Sequence, residues 1–412
     1  MKGAVLSVGG SEQPIIKALT WHPAEFVLFV VSEQSVAQVK DKILPALDYQ
    51  PQYELLRVNA PDDLGTCYEQ CRKGIRDWLE RRGLSGDDVY FDNTGGTKPM
   101  SSALAMAAME WIRRYHYVSG QRDKGELGVV ISGTERPIEG VNPWIEMGLR
   151  QRQLAQRFYE LGYAEQAAAL LDEAARHSER QRGTIKAYAA LCRLLGKLDR
   201  LKFDTLLHDL GPWKQALEVA FEHAENREAL AWLRGLHDYF KNLQEESKKK
   251  EQHPNCLREL LASARRRARQ MLYDEAVARL YRAVELYGQD RLYRAFGARL
   301  GKVRPTNLSP ELAQAFRQKF PQAWDEQEGC YKLGLKNLFA ALALSPCEED
   351  KALAKAYEKL HPPLQKRNES WLAHGTRPAT SEDFQEFWSA VLEVLGIGED
   401  TLPEWPRLSF VD

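Results

Sequence analysis

Cysteine is scarce in this sequence, with six among 412 residues. That is too sparse for a disulfide framework, and the pairs lack zinc-site spacing. Cys67 and Cys71 stand four apart in a helix-like stretch, and a lone CxxxC is a poor metal or redox signal. An excess of one charge is also missing, since 57 Lys+Arg against 58 Asp+Glu leave a formal charge of −1. That balance, with 44% hydrophobic residues, excludes a disordered chain and a globally basic nucleic-acid coat. No apolar run approaches the ~20 residues of a bilayer crossing. The opening MKGAVLSVGGSEQPIIKAL is broken by glycine and charge before a signal-peptide core could form. His22, His116, His177, His208, His223, His237, His253 and His361 show no pairing at metal-ligand spacing. These absences lead us to expect a soluble, cytoplasmic chain of two or three domains, with no metal, no cofactor and no membrane partner.

What is present divides near Asn142-Pro143. Before it, short β-rich runs alternate with helical stretches. Strands are expected at Gly3 to Val8, Glu25 to Val31, Tyr53 to Val58, Asp88 to Asp92 and Leu127 to Ser132, and helices at Thr66 to Arg81 and Met100 to Arg114. Continuous apolar runs such as Glu25 to Val31 suit strands covered on both faces, so the alternation predicts a parallel, doubly wound α/β sheet. From Glu146 onward the periodicity is helical. Two helix-hairpin openings, Gly162 to Ala167 and Leu272 to Val277, are too far apart to be a tandem array. The charged run Glu245 to Gln252 suits either a linker or a solvated helix end.

The most informative segment before the divide is Asp92-Asn93-Thr94-Gly95-Gly96-Thr97-Lys98-Pro99-Met100, between a strand and a small-residue helix. Paired glycines let backbone approach a ligand, and amides at a helix N-terminus attract anions. Thr94 and Thr97 add hydroxyl donors and Lys98 a counter-charge, but the Walker spacing is absent. Ser7-Val8-Gly9-Gly10-Ser11 closes the first strand in a similar way. Two such loops at the carboxyl ends of parallel strands would share one edge, although either Gly-Gly could simply turn the chain. The segment resembles the signature loop of the CRISPR-associated Rossmann-like (CARF) sensor domains. That resemblance covers about the first 140 residues. It implies a dimer that binds a cyclic oligoadenylate, with tetra-adenylate the first choice, through Gly9, Gly10, Ser11, Thr94, Gly95, Gly96, Thr97 and Lys98.

Near the other end, Arg367-Asn368 and His374-Gly375 suggest a second site. Arg367 and His374 are seven apart, so one helix would project both from one face, with Gly375 as its terminator. An imidazole can exchange protons with a ribose hydroxyl or leaving oxygen, and a guanidinium can hold a phosphate. Alone, the pair could equally be a surface Arg and a helix-capping His. The segment resembles the Rx4–6H motif of HEPN ribonucleases, and Tyr273 to Ala283 resembles an early helix of that domain. Trp371 suits base stacking or a core role. The clusters Arg265, Arg266, Arg267, Arg269 and Lys248, Lys249, Lys250 suit an RNA backbone or a solvated helix face.

The expected architecture is an α/β Rossmann-like sensor domain at 1–142, a helical linker or insert at 143–252 and an all-α HEPN domain at 253–412. The resemblance implies a homodimeric, metal-independent endoribonuclease of type III CRISPR defence, switched on allosterically by its cyclic oligoadenylate activator. It would cut single-stranded RNA to a 2′,3′-cyclic phosphate, with His374 as acid/base, Arg367 stabilising the phosphorane and Asn368 orienting it. Two rivals stand beside it: a ring nuclease using Thr97 and Lys98, and a non-catalytic sensor whose helical part binds a partner.

Overall fold

The computed structural model describes residues 1–121, 133–178, 180–222, 226–249 and 251–410. The chain divides into two compact units, Met1–Arg150 with Ala174–Gln181, and Gln151–Glu173 with Arg182–Asp412.

The first unit is built on six strands: β1 Gly3–Ser7, β2 Phe26–Val31, β3 Gln52–Arg57, β4 Val89–Asp92, β5 Arg114–Ser119 and β6 Arg136–Val141. Their order is β3-β2-β1-β4-β5-β6. The first five run parallel, and β6 closes the edge antiparallel to β5. Alternate residues of the central strands feed opposite faces. Leu6, Phe29 and Tyr90 pack with Ile15 and Leu19 of α1 (Gln13–Trp21). Val5, Leu28 and Phe91 pack with Cys71, Ile75 and Trp78 of α2 (Leu64–Arg82) and with Ala103 and Leu104 of α3 (Lys98–Ala108). Both cysteines of the CxxxC pair are buried and free, and burial pushes the Cys71 thiol up to about 12, which suits packing and not redox chemistry.

The doubly wound sheet is as expected, but two of its strands, β5 and β6, are not, and β6 departs from the expected parallel arrangement. The helix expected over Met100 to Arg114 ends at Ala108, and Arg114–Ser119 is a strand. His116 and Val118 are buried while their neighbours are partly exposed, the two-residue period of a strand. The strand expected at Leu127 to Ser132 lies outside the described residues.

The second unit is mostly helical. It includes α4 (Leu149–Glu160) from Gln151 on, α5 (Arg182–Asp199), α6 (Arg227–Lys248), α7 (Pro254–Arg269), α8 (Tyr273–Phe296), α9 (Leu335–Leu342), α10 (His361–Asn368) and α11 (Ser381–Leu395). It is not all-α, however. Lys302–Val303, Trp324–Asp325 and Cys330–Lys332 form a small antiparallel sheet, β7, β8 and β9, in the order β7-β9-β8. Runs of two or three residues are too short to show a period in the sequence.

Of the two readings of Glu245 to Gln252, the helix end holds. Helix α6 continues to Lys248, and the buried Glu246 carboxylate accepts from the Asn255 and Cys256 amides at 2.8 and 2.9 Å. Those are unpaired donors of the first turn of α7, which the carboxylate caps. Two arginines of the cluster on α7, Arg266 and Arg267, are likewise structural. Arg266 is buried, with Nε donating to Asp199 Oδ1 at 2.8 Å and Nη2 to Glu259, while Arg267 Nη2 lies 2.6 Å from Asp199 Oδ2. Tyr239 Oη also donates to Glu259. Two guanidinium groups thus offset two buried carboxylates, a balance that a solvated face would not need.

The segment 403–410 lies along this unit as a strap. Tyr159 Oη donates to Pro406 O at 2.7 Å, Gln156 Nε2 to Leu408 O at 2.6 Å, and the buried Arg152 to Phe410 O. Asn226 pairs with the Ser409 backbone in both directions, at 2.7 and 3.0 Å.

Candidate functional site

In the first unit the strand order reverses between β1 and β4, where a doubly wound sheet opens a crevice at its carboxyl edge. Both glycine loops lie there, packed on each other. A Cβ on Gly9 would stand 2.4 Å from Gly96 N, and one on Gly95 would stand 2.3 Å from Ser7 O, so neither position has room for a side chain. Ser7 Oγ donates to Gly95 O at 2.6 Å, and Gly96 takes a left-handed φ of 89°. A Cβ on Gly10 would meet nothing within 4 Å, and the Gly10 carbonyl accepts from Gln38 Nε2 at 3.0 Å. Ser11 and Lys98 are exposed beside them. Among the described residues, no hydrogen bond uses the amides of Gly10, Gly95 or Gly96. Adjacent unpaired amides of this kind suit an anion.

The two threonines have different roles. Thr94 Oγ1 accepts from Val118 N at 2.9 Å, tying the loop to β5. Thr97 caps α3 by accepting from Met100 N at 3.3 Å, and its own proton goes to Pro61 O. The expectation of a second free hydroxyl donor is therefore corrected: helix capping uses it. Under the loop lies Asp92, fully buried. Its Oδ1 accepts from Thr94 N at 2.8 Å while its Oδ2 has no partner, and burial pushes its pKa up to about 6.

In the second unit, Arg367 and Asn368 end α10, but His374 does not continue their helix. The expectation of one helix face carrying both is corrected. Buried Ser370 stops the helix by bridging to Arg377, and the chain turns back over 371–376. Gly375 permits the turn. A Cβ there would meet Glu369 O at 1.9 Å, so Gly375 serves close approach and not helix termination. The turn still brings His374 home, since its N–H donates to Asn368 O at 3.2 Å. Arg367 lies over the Tyr281 ring of α8, 4.1 Å from its centroid, and Nη1 donates to Asn368 Oδ1 at 3.1 Å. His374 and Trp371 are both exposed, the latter 63%, so Trp371 has no core role.

A cleft of about 560 Å³ adjoins this turn, lined by Tyr281, Lys336, Tyr357, His361 and Asn368 among others. Tyr281 and Lys336 come from α8 and α9, far from α10 in sequence. His361, Leu364 and Gln365, on the same helix as Asn368, are the lining residues within reach of sequence spacing.

Spacing along the sequence does not show one spatial grouping of histidines. On the α1 side of the sheet, His22, His116 and Glu139 each offer one donor atom, and the three atoms lie within 4.8 Å of one another. His116 is buried, and burial with the nearby His22 lowers its pKa to about 4.

Residues 245–397 match the family model described as the Csm6 HEPN domain. Among solved structures, the chain is similar to Enterococcus italicus Csm6 bound to cyclic hexa-2′-fluoro-hexa-dAMP. The TM-score is 0.60 at 12% identity, over 96% of this chain and 94% of that one. At that identity the likeness speaks for the fold. Can2 from Sulfobacillus thermosulfidooxidans in complex with cyclic tetra-adenylate is matched at 14% identity over 60% of this chain and 69% of that one. Its TM-score of 0.24 carries no argument. A search of curated proteins finds no match. Residues 245–397 are therefore similar to the Csm6 HEPN domain, and the chain shares the fold of the Enterococcus italicus protein over 96% of its length.

Proposed function

We propose that the chain is a homodimeric endoribonuclease of type III CRISPR defence that cyclic oligoadenylate switches on. The observation that carries this reading is the turn that ties His374 to Asn368 beside Arg367, within the segment that matches the Csm6 HEPN domain. The cut is a transesterification. The 2′-oxygen attacks the adjacent phosphorus, its proton passes to a base, and the 5′-oxygen leaves with a proton. The products are a 2′,3′-cyclic phosphate and a free 5′-hydroxyl. His374 moves the protons, Arg367 holds the charge that develops on the phosphorane, and Asn368 orients Arg367 through the 3.1 Å hydrogen bond. The adjoining cleft takes the single-stranded substrate. No metal takes part in this step.

The activator sits on the glycine loops at the strand-order reversal, where Gly9, Gly10, Ser11, Thr94, Gly95, Gly96 and Lys98 surround unpaired amides and Thr97 holds the loop in shape. Binding there favours the dimer state in which two Arg367/His374 turns work together. The ligand of the Enterococcus italicus Csm6 structure is a six-membered ring, so hexa-adenylate is tested beside tetra-adenylate. The test is cleavage of a fluorogenic single-stranded RNA in EDTA, with either ring, for wild type and His374→Ala. Cleavage that requires one ring and falls about 10²–10⁴-fold in the variant supports the assignment. Measurable ring binding without cleavage would sink it.

A further inference from the structure

Two ring nitrogens in the sheet unit have no hydrogen-bond partner although they are buried: His22 Nε2 and His116 Nδ1. A buried polar atom left unpaired is costly, so each one calls for a cause. His116 is 98% buried, given its exposure of 2%, at the centre of β5. His22 follows the last turn of α1, and Glu139 stands directly opposite His116 across the β5–β6 pair. His22 Nε2 approaches Glu139 Oε1 to 3.1 Å, yet it lies off the line of a hydrogen bond. Donor atoms that converge without bonding one another are arranged for something between them.

The surroundings hold this arrangement in place. The Tyr90 ring stacks on His116 with centroids 4.1 Å apart, and Tyr90 Oη donates to the His22 carbonyl at 2.9 Å. The two imidazoles are themselves 4.1 Å apart. The carboxylate is the exposed member, on the edge strand β6 with its side chain 61% exposed.

We propose that His22, His116 and Glu139 bind a divalent d-block cation, Zn²⁺ first, with water or another ligand completing the coordination. Two imidazoles and a carboxylate are a zinc donor set, whereas Mg²⁺ and Ca²⁺ prefer all-oxygen sites. Ligands at about 2.0–2.1 Å around a tetrahedral ion stand about 3.3 Å apart. The observed separations, 3.1 Å for one pair and within 4.8 Å for all, lie within reach of that value by small rotations of the three side chains. The ion would tie the end of α1 to β5 and to the edge strand β6 and satisfy the two unpaired nitrogens.

The test uses the full chain, stripped of metal by a chelator that is then removed. Co²⁺ titration followed by visible d–d absorption reports coordination geometry, and Zn²⁺ competition with a chromophoric chelator reports affinity. The expected result is one equivalent of Zn²⁺ at this site, lost in His22→Gln and weakened on the order of tenfold or more in Glu139→Gln. Mg²⁺ should not compete. Glu139 lies on the surface, so its variant keeps the test sound should His22→Gln fail to fold, with folding checked by circular dichroism. No Zn²⁺ uptake by the wild type, or equal uptake by wild type and Glu139→Gln, overturns the site. None of these readouts depends on RNA cleavage, so this result and the fate of the ribonuclease assignment are separable.

Discussion

Gly9 and Gly10 are neighbours in sequence, yet a methyl group should affect them very differently. In Gly9→Ala the new Cβ would lie 2.4 Å from Gly96 N, where ordinary contact begins at 3.4 Å, so the two loops must separate by about 1 Å. Forcing volume into a packed site of this kind costs roughly 1–3 kcal/mol. Separation also strains the Ser7–Gly95 hydrogen bond, which adds about 1 kcal/mol if it breaks. The expected loss is therefore about 2–4 kcal/mol, concentrated at the carboxyl edge of β1 and β4. A Cβ on Gly10 meets nothing within 4 Å, so Gly10→Ala should stay within about 0.5 kcal/mol of wild type. Hydrogen exchange read by mass spectrometry measures the opening of this edge directly, apart from the rest of the chain. Amides of β1, β4 and the 93–97 loop should exchange about 30- to 1,000-fold faster in Gly9→Ala, at tenfold per 1.4 kcal/mol. Equal protection in the two variants would refute the packing argument, because the loops would then not rest on each other.

Further predictions concern other parts of the molecule. Asp92→Asn should be more stable than wild type at pH 7.5, by up to about 3 kcal/mol. The native carboxyl titrates at about 6 against 3.8 for the ordinary group, so its ionised form is disfavoured on folding. The advantage should shrink as pH falls through 6 and vanish near 4, which urea unfolding across that range would check. Arg266→Ala leaves Asp199 and Glu259 buried with half their counter-charge and should cost about 3–5 kcal/mol in thermal or chemical unfolding of the helical unit. Tyr281→Leu removes the ring beneath Arg367 and should slow RNA cleavage roughly fivefold, for a cation–π contact of about 1 kcal/mol, while activator binding is unchanged.

The central strands were legible because burial on both faces writes a continuous apolar run, as in Phe26–Val31. The strand β5 was not. Arg114-Tyr115-His116-Tyr117 carries polar and aromatic residues that also continue the preceding helical pattern, and only its pairing with β4 and β6 decides the matter. The glycine loops could be read from their composition, but their mutual packing depends on β1 and β4 being neighbours, which is a fact of topology. In the helical unit, the pair Arg367 and His374 was visible by spacing. Its geometry was not, because the close approach of Gly375 to Glu369 O is a long way from any helical rule. The convergence of His22, His116 and Glu139 could not be read at all, since three separate elements bring them together.

The strap over residues 403–410 has a consequence for how the helical unit comes into being. Its partners Arg152, Gln156, Tyr159 and Asn226 emerge from the ribosome some 183 to 258 positions earlier. Until the strap arrives, the side of the bundle it covers stays open, with the buried rings of Tyr159 and Tyr188 lacking their contacts with Phe410. Synthesis at roughly 5–20 residues per second makes that a delay of about ten seconds or more. The nascent helices must wait for it, and His374 is translated within the same interval. A ribosome making this protein would therefore carry no finished helical unit until residues 406–410 are out.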